Sequence, residues 1–114
     1  MKRALLLAAA AVATLAVAVS TAAGHDKQRS VRFATFNLSL NRPAHGVLRD
    51  HLSHPEVDDV FRRQARNNAE VIQRTRPDVL LINEFDYDPV AADLFRTNFL
   101  EVSQNGAAPI HYPY

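Results

Sequence analysis

Two polar residues, Asn37 and Glu84, each follow an apolar stretch, and their side chains can take part in metal chemistry. Asn37 closes the segment Val-Arg-Phe-Ala-Thr-Phe-Asn, and Glu84 follows the apolar run 79–82 and Asn83. Amide and carboxylate oxygens are hard ligands that suit Mg²⁺ or Mn²⁺, and these ions keep several waters while taking few protein ligands. A bound ion of this kind polarises a phosphoryl oxygen. The sequence therefore predicts a divalent-cation site with Glu84 as its carboxylate.

Both residues are predicted to lie at the ends of strands. Residues 31–40 are rich in Phe, Val, Thr and Leu, and residues 78–85 place an apolar run between a Pro-Asp pair and an acidic cluster. Apolar side chains on both faces are typical of strands buried inside a sheet. We assign the phenylalanines of this region to the hydrophobic core: Phe33, Phe36, Phe61 and Phe85.

A helical period connects the two predicted strands. Between positions 57 and 75 the apolar residues form one stripe, and the arginines fall mostly on the opposite, solvated face. The stripe consists of Val57, Phe61, Ala65, Ala69 and Ile72. Pro77 ends this helix at about Arg76, because proline disfavours helical geometry in the residue before it. The strand–helix–strand order predicts a βαβ unit with parallel strands, which carries Asn37 and Glu84 to one sheet edge.

The same two segments resemble a known family. Val-Arg-Phe-Ala-Thr-Phe-Asn at 31–37, a helix, and Arg-Pro-Asp-Val-Leu-Leu-Ile-Asn-Glu at 76–84 are similar to the start of the endonuclease/exonuclease/phosphatase superfamily, the deoxyribonuclease I-like proteins. The resemblance covers residues 31–89. It implies an α/β fold, the N-terminal portion of a four-layer α/β/β/α sandwich that begins with a βαβ unit.

The resemblance also implies an activity and site residues. Family members hydrolyse phosphodiesters or phosphomonoesters with Mg²⁺ or Mn²⁺. Glu84 matches the metal-binding glutamate, and Asn37 matches the catalytic asparagine that orients the metal site and the phosphate network. The substrate class stays open, because nucleic acids, phospholipids and inositol phosphates all fall within the chemistry of this family.

The sequence departs from the family pattern in two ways. Asn83 stands where the family usually has Gln before the metal-binding Glu. The family's Asp-x-Asn segment and its C-terminal Asp-His pair, which supplies the base that activates water, have no counterpart, since His111 comes too early. We therefore expect residues 31–114 to be a truncated N-terminal part of such a domain, and an incomplete, inactive fragment. The alternative is a non-catalytic secreted binding module that keeps the fold.

Three further polar residues, Arg42, Asp86 and Asp88, lie near the predicted strand ends. Arg42 follows the first strand and could bind a substrate phosphate in a bidentate manner, or it is a surface arginine. Asp86 is either solvated or an outer group of the site. Asp88 before Pro89 predicts a helix N-cap, with proline in the first helical position.

The remaining elements are predicted from local signals. Residues 41–56 contain proline and glycine breakers and form a loop, whose histidines are exposed rather than zinc ligands. A short helix is predicted over residues 90–98, followed by a short strand or an extended segment at 99–102. Asn105-Gly106 predicts a turn.

The amino-acid composition limits the number of domains and the kinds of binding site that the chain can have. The 114 residues suffice for one small domain, and the formal net charge of +1 gives no electrostatic footprint for tight nucleic-acid binding. The chain has no cysteine, which excludes disulfides and thiolate metal sites, and its three glycines exclude a glycine-rich phosphate loop. Neither the identity of the phosphoester substrate nor the oligomeric state follows from the sequence.

The N-terminus has the pattern of a secretory signal peptide. Lys2 and Arg3 precede an apolar segment that ends in small residues, and cleavage is predicted between Ala22 and Gly24. Residues 1–24 are therefore assigned to the signal peptide and 25–30 to a flexible lead-in. The protein is predicted to be secreted or periplasmic, without a stable membrane span after cleavage. An uncleaved membrane anchor is the alternative.

Overall fold

The computed structural model describes residues 30–113. The predicted signal peptide at 1–24 and residues 25–29 of the predicted lead-in lie outside these residues. Within the described part, no helix is both long enough and apolar enough to cross a membrane.

The described chain is a small α/β unit with a two-stranded parallel sheet. Its elements, in chain order, are β1 (Phe33–Leu40), α1 (Val47–Ser53), α2 (Val60–Thr75), β2 (Val79–Phe85), α3 (Pro89–Phe95) and a π-helical segment (Arg96–Leu100). The strands pair in parallel from Phe33 opposite Val79 to Asn37 opposite Asn83. The structure confirms the predicted βαβ-like start and the parallel strands.

The long helix α2 begins three residues later than predicted, because Asp59 caps it. The Asp59 carboxylate accepts a hydrogen bond from the Arg62 amide at 2.8 Å. At the other end Arg76 adopts a left-handed conformation with φ 49°, and Pro77 follows, which confirms the predicted stop. Its predicted stripe is buried at Ala65, Ala69 and Ile72.

The prediction that the helix arginines form a solvated face is wrong for Arg62, which is buried. Its guanidinium contacts the Asp59 carboxylate at 2.5 Å and the Asp50 carboxylate at 3.5 Å. Because these acids lie before and at the start of α2, the arginine folds back over the N-terminal turn instead of extending into water.

The prediction of a loop over residues 41–56 is wrong, because α1 occupies Val47–Ser53. Gly46 precedes this helix with φ 83°, a conformation that glycine adopts without steric cost. Leu48 and Leu52, four residues apart, are buried on one side of the helix. These two side chains supply the packing that stabilises so short a helix against the core.

The helix start at Asp88 is confirmed. The Asp88 side chain accepts hydrogen bonds from the amides of Val90 at 3.0 Å and Ala91 at 3.3 Å. The prediction of a short strand or an extended segment at 99–102 is wrong, since α3 continues directly into the π-helical segment Arg96–Leu100. This segment places Phe99 and Leu100 in the core.

The predicted turn at Asn105-Gly106 is confirmed by its backbone geometry. Both residues have positive φ, 46° at Asn105 and 76° at Gly106. The flanking residues Gln104 and Ala107 form an antiparallel bridge. Positive φ at both central positions is the reason that an Asn-Gly pair is favoured in such turns.

Within residues 30–113, one face of the sheet packs against the core and the other face is exposed. Leu38 and Leu40 are buried on the packed face, and Phe36, Leu80 and Ile82 pack against the same core. The opposite face, which we call the open face, exposes large apolar side chains: Val31 (57%), Phe33 (75%), Val79 (47%) and Leu81 (63%).

The prediction that both strands are buried on both faces is therefore wrong for residues 30–113. The core assignment is likewise wrong for Phe33, and Phe61 on α2 is 43% exposed. The reason is that the core cluster draws its residues from the helices and from one side of the strands.

Candidate functional site

The candidate site lies where the pairing of β1 and β2 becomes irregular. The regular register ends at Asn37 opposite Asn83 and resumes at Leu40 opposite Phe85. Two residues of β1 thus face Glu84, which is the arrangement of a β-bulge. Ser39 and Glu84 both adopt left-handed backbone conformations, with φ 49° and 53°. A non-glycine residue in this region costs on the order of 1–3 kcal/mol, and such strain is concentrated at functional sites.

Ser39 joins the two residues that the sequence singled out. Its hydroxyl lies 3.2 Å from Asn37 Oδ1 and 3.3 Å from Glu84 Oε2. Its backbone amide donates a hydrogen bond to Asn37 Oδ1 at 3.0 Å. Asn37 and Glu84 are therefore brought into one cluster, as the parallel strand pairing predicted. The sequence analysis missed Ser39, because a serine two residues beyond Asn37 gives no distinctive signal.

The amide of Asn37 is oriented by these contacts. Its oxygen accepts the backbone N–H of Ser39 and lies 3.2 Å from the Ser39 hydroxyl, so Ser39 occupies that atom. Its Nδ2 group makes no hydrogen bond to any other residue between 30 and 113. Asn37 is thus arranged as a hydrogen-bond donor to a ligand, such as a phosphate oxygen, more than as a metal ligand.

Glu84 offers an exposed carboxylate. It forms no ion pair with the described residues, and only Oε2 is engaged, by Ser39. Within residues 30–113 no group of three His, Asp or Glu side chains could hold a metal ion. A single carboxylate fits Mg²⁺ or Mn²⁺, which retain most of their waters, and does not fit an ion enclosed by protein ligands.

Arg42 is engaged with protein groups behind the site. Its Nε donates to His51 Nδ1 at 3.2 Å, Nη1 donates to the carbonyls of Ser39 and Asn41, both at 3.1 Å, and Nη2 donates to Gln64 at 3.1 Å. Burial lowers the pKa of this guanidinium, although the negative charge of Asp86 opposes that effect. Arg42 therefore supports the backbone at Ser39, and one Nη2 hydrogen is left for a ligand.

Two amide side chains of α2 hold the carbonyl groups at the bulge. Gln64 Nε2 donates to the Ser39 carbonyl at 2.8 Å, and Asn68 Nδ2 donates to the Leu38 carbonyl at 2.7 Å. These carbonyls need such partners because a bulge interrupts the hydrogen bonding of the ladder. The sequence analysis missed both residues. Their spacing of four residues on α2, which places both on one helix face, is the signal that could have indicated them.

Asp86 is tied to the loop after β1. Its Oδ1 accepts a hydrogen bond from the Arg42 amide at 3.0 Å. It also lines a pocket of about 170 Å³ together with His45 and the fully exposed Tyr87. Asp86 thus combines a structural contact with a position in the lining of a small pocket.

Asn83 does not contact the Glu84 carboxylate. Its Nδ2 donates to Thr35 Oγ1 at 2.9 Å, across the two strands. Among the described residues, the side-chain hydrogen bond of the Glu84 carboxylate is therefore with Ser39 and not with Asn83.

None of the described histidines hydrogen bonds to Asn37, Ser39 or Glu84. His51 accepts from Arg42, His54 contacts Glu56, and His111 contacts Glu101. The site within residues 30–113 therefore contains a carboxylate, an amide and a hydroxyl, and no imidazole in contact with them.

Comparison with known proteins identified no relative of this chain. No family model matches the chain, and no match was found among curated proteins or solved structures.

Proposed function

We propose that this chain carries the metal-binding and phosphate-binding part of a divalent-metal-dependent phosphoester hydrolase of the endonuclease/exonuclease/phosphatase type. The observation that carries the proposal is the contact of one hydroxyl, Ser39 Oγ, with both Asn37 and Glu84 at the irregular end of the parallel sheet. An exposed carboxylate and an oriented amide donor lie together there, and this pair suits a cation and a phosphate group.

The proposed roles follow from the contacts of each side chain. Glu84 holds Mg²⁺ or Mn²⁺ through a carboxylate that has no competing cation among the described residues. When bound, the ion supplies Lewis-acid polarisation of a phosphoryl oxygen. Asn37 donates from Nδ2 to a phosphate oxygen, because Ser39 occupies its Oδ1. The substrate is a phosphodiester or a phosphomonoester.

The proposed four-layer α/β/β/α sandwich agrees with the surface of the sheet. The open face presents four large apolar side chains with no charge among them: Val31, Phe33, Val79 and Leu81. Sheets that pack face to face bury such side chains between them. In the proposed domain a second sheet packs on the open face, and the βαβ-like unit described above forms one side of the sandwich.

We further propose that the protein is secreted or periplasmic and that this chain alone has no significant hydrolytic activity. The activity proposal rests on the histidines between residues 30 and 113, because none of them hydrogen bonds to Asn37, Ser39 or Glu84, and three contact Arg42, Glu56 and Glu101 instead. Metal-dependent phosphodiester turnover by the purified chain, lost in Glu84→Ala, would contradict it.

Binding of Mn²⁺ tests the proposed site directly. Free Mn²⁺ is measured by electron paramagnetic resonance during titration of the purified chain. We expect one binding site that Glu84→Gln removes. Glu56→Gln is the matched control, because it removes another exposed carboxylate, whose ion pair is with His54. Inorganic phosphate should bind more tightly when Mn²⁺ is present. Absence of Mn²⁺ binding that depends on Glu84 would overturn the proposed function.

A non-catalytic binding module is the second candidate, and the outer edge of β2 favours it. Among the described residues β2 pairs only with β1, and a groove of about 670 Å³ lies beside it. Its lining includes Leu80, Ile82 and Phe95. An unpaired strand edge beside an apolar groove can accept an extended peptide. This candidate predicts peptide binding that Glu84→Gln leaves unchanged.

A further inference from the structure

Ser39 is the one side chain within residues 30–113 that hydrogen bonds to both proposed site residues. Its hydroxyl lies 3.2 Å from Asn37 Oδ1 and 3.3 Å from Glu84 Oε2. A serine hydroxyl carries one proton, so it donates to only one of these oxygens at a time.

The contacts of Asn37 decide which oxygen receives that proton. Asn37 Oδ1 already accepts the backbone N–H of Ser39 at 3.0 Å. Glu84 carries a negative charge, and a hydrogen bond to an ionised acceptor is stronger than one between neutral groups. The Ser39 hydroxyl therefore donates its hydrogen bond to Glu84 Oε2, and the backbone N–H of Ser39 alone is sufficient to hold the Asn37 side chain.

We propose that Ser39 is a positioning residue for the cation-binding carboxylate of Glu84, an inference that rests on the proposed function. By donating to Oε2, the hydroxyl limits rotation of the carboxylate and leaves Oε1 open toward the cation. The backbone of both residues is left-handed, with φ 49° and 53°, so the bulge places the hydroxyl and the carboxylate together. Gln64 and Arg42 hold the Ser39 carbonyl from the other side.

The affinity for Mn²⁺ should fall when this hydroxyl is lost. Groups that hydrogen bond to a metal-ligating side chain contribute about 10- to 100-fold to metal affinity. We therefore expect Ser39→Ala and Ser39→Gly each to weaken Mn²⁺ binding by about tenfold or more. Ser39→Thr keeps the hydroxyl, so its Mn²⁺ affinity should stay within about threefold of that of the unmodified chain. This change is smaller than the loss of about tenfold expected when the hydroxyl is removed.

These variants separate the hydroxyl from the stability of the fold. At positive φ glycine is unstrained, alanine is strained and the β-branched threonine is more strained. The glycine variant should therefore be the most stable and the threonine variant the least stable. Mn²⁺ affinity, in contrast, should be retained only in the threonine variant. The two orders are opposite, and thermal unfolding of each variant is measured beside the Mn²⁺ titration.

The possible outcomes distinguish this inference from the proposed function. If Glu84→Gln abolishes Mn²⁺ binding but Ser39→Ala and Ser39→Gly bind like the unmodified chain, the role of Ser39 is overturned and the proposed function stands. Mn²⁺ affinity that follows stability instead of the hydroxyl also overturns it. If the unmodified chain shows no Mn²⁺ binding that depends on Glu84, both proposals fall.

Discussion

The Nε of Arg42 lies 3.2 Å from Nδ1 of His51, and the imidazole accepts this hydrogen bond. The accepting nitrogen must be unprotonated, so the contact requires the neutral ring with its proton on Nε2. His51 also stacks on Phe61, with ring centroids 4.5 Å apart, and Arg42 lies 5.0 Å from the centroid of the same ring. Through Arg42, which bonds to the Ser39 carbonyl, this histidine is linked to the candidate site.

His51 should make the stability of the protein depend on pH. Burial lowers the pKa of His51, and the charges of Arg62 and Arg42 lower it further. The unfolded chain therefore binds more protons than the folded chain once the pH falls below about 6.5. We expect the contribution of His51 to be fully present above that pH and to be lost as the pH falls through the folded-state pKa.

Urea unfolding between about pH 5 and pH 8 measures this contribution, and the loss of stability should begin as the pH falls below about 6.5. His51→Gln, whose side-chain oxygen can accept from Arg42 at any pH, should flatten the profile. His45→Gln removes an exposed imidazole and serves as the control. An unchanged profile in His51→Gln would contradict the linkage.

Asn37→Asp tests the donor role of the amide. The aspartate keeps oxygens that accept from Ser39 and loses the Nδ2 donor, so the fold should be retained. A hydrogen bond to a charged group contributes about 1.5–3 kcal/mol, so we expect phosphate affinity in the presence of Mn²⁺ to fall about tenfold or more. Asn83→Asp places the same charge on the residue opposite, and the donor that it removes binds Thr35 and not the proposed phosphate, so it reports the effect of the added charge on phosphate affinity. Equal losses in isothermal titrations of the two variants would argue against a donor role.

Asp88 joins α1 to α3 and should matter for stability. Its Oδ2 accepts from Arg49 Nη2 at 2.7 Å and Nε at 2.9 Å, while Oδ1 caps α3. Burial opposes ionisation, but the Arg49 guanidinium and the amides of the cap outweigh it and lower the pKa of Asp88. Asp88→Asn keeps the cap and loses the ion pair, whereas Asp88→Ala loses both.

We therefore expect the urea midpoint to fall in Asp88→Asn and to fall further in Asp88→Ala. Arg49→Gln serves as the partner variant, since it removes the ion pair without touching the cap. A midpoint for Asp88→Ala equal to that of Arg49→Gln would show that the cap contributes nothing measurable.

Alanine substitutions of two phenylalanines test whether only one face of the sheet is buried. Phe99 is fully buried and stacks on Phe95 with ring centroids 6.0 Å apart, whereas Phe33 is 75% exposed. Phe99→Ala should cost about 3–5 kcal/mol of unfolding free energy, because it leaves a cavity in the core. Phe33→Ala should change stability by less than about 0.5 kcal/mol, as surface substitutions usually do. Chemical denaturation of both variants checks this, and similar costs would show that the open face is covered in solution.

The sequence by itself determined the features that depend on neighbouring residues. Asp88 before Pro89 indicated a helix start, Pro77 indicated a helix end, and Asn105-Gly106 indicated a turn. In each case a side chain or a restricted backbone acts on residues a few positions away. The parallel pairing of the strands also followed, because a connection that contains a long helix makes neighbouring strands parallel.

Only the tertiary structure decided the features that depend on contacts distant in the chain. An apolar run does not tell which face of a strand is covered, so the exposure of Phe33 and Leu81 had no signal in the sequence. Helix α1 forms because Leu48 and Leu52 pack into the hydrophobic core, although the surrounding residues favour a loop. Ser39 meets Glu84 because a bulge turns both backbones into left-handed conformations, and side chains of α2 satisfy the carbonyls that the bulge leaves unpaired. Such contacts depend on the relative placement of strands and helix, which local propensity does not specify.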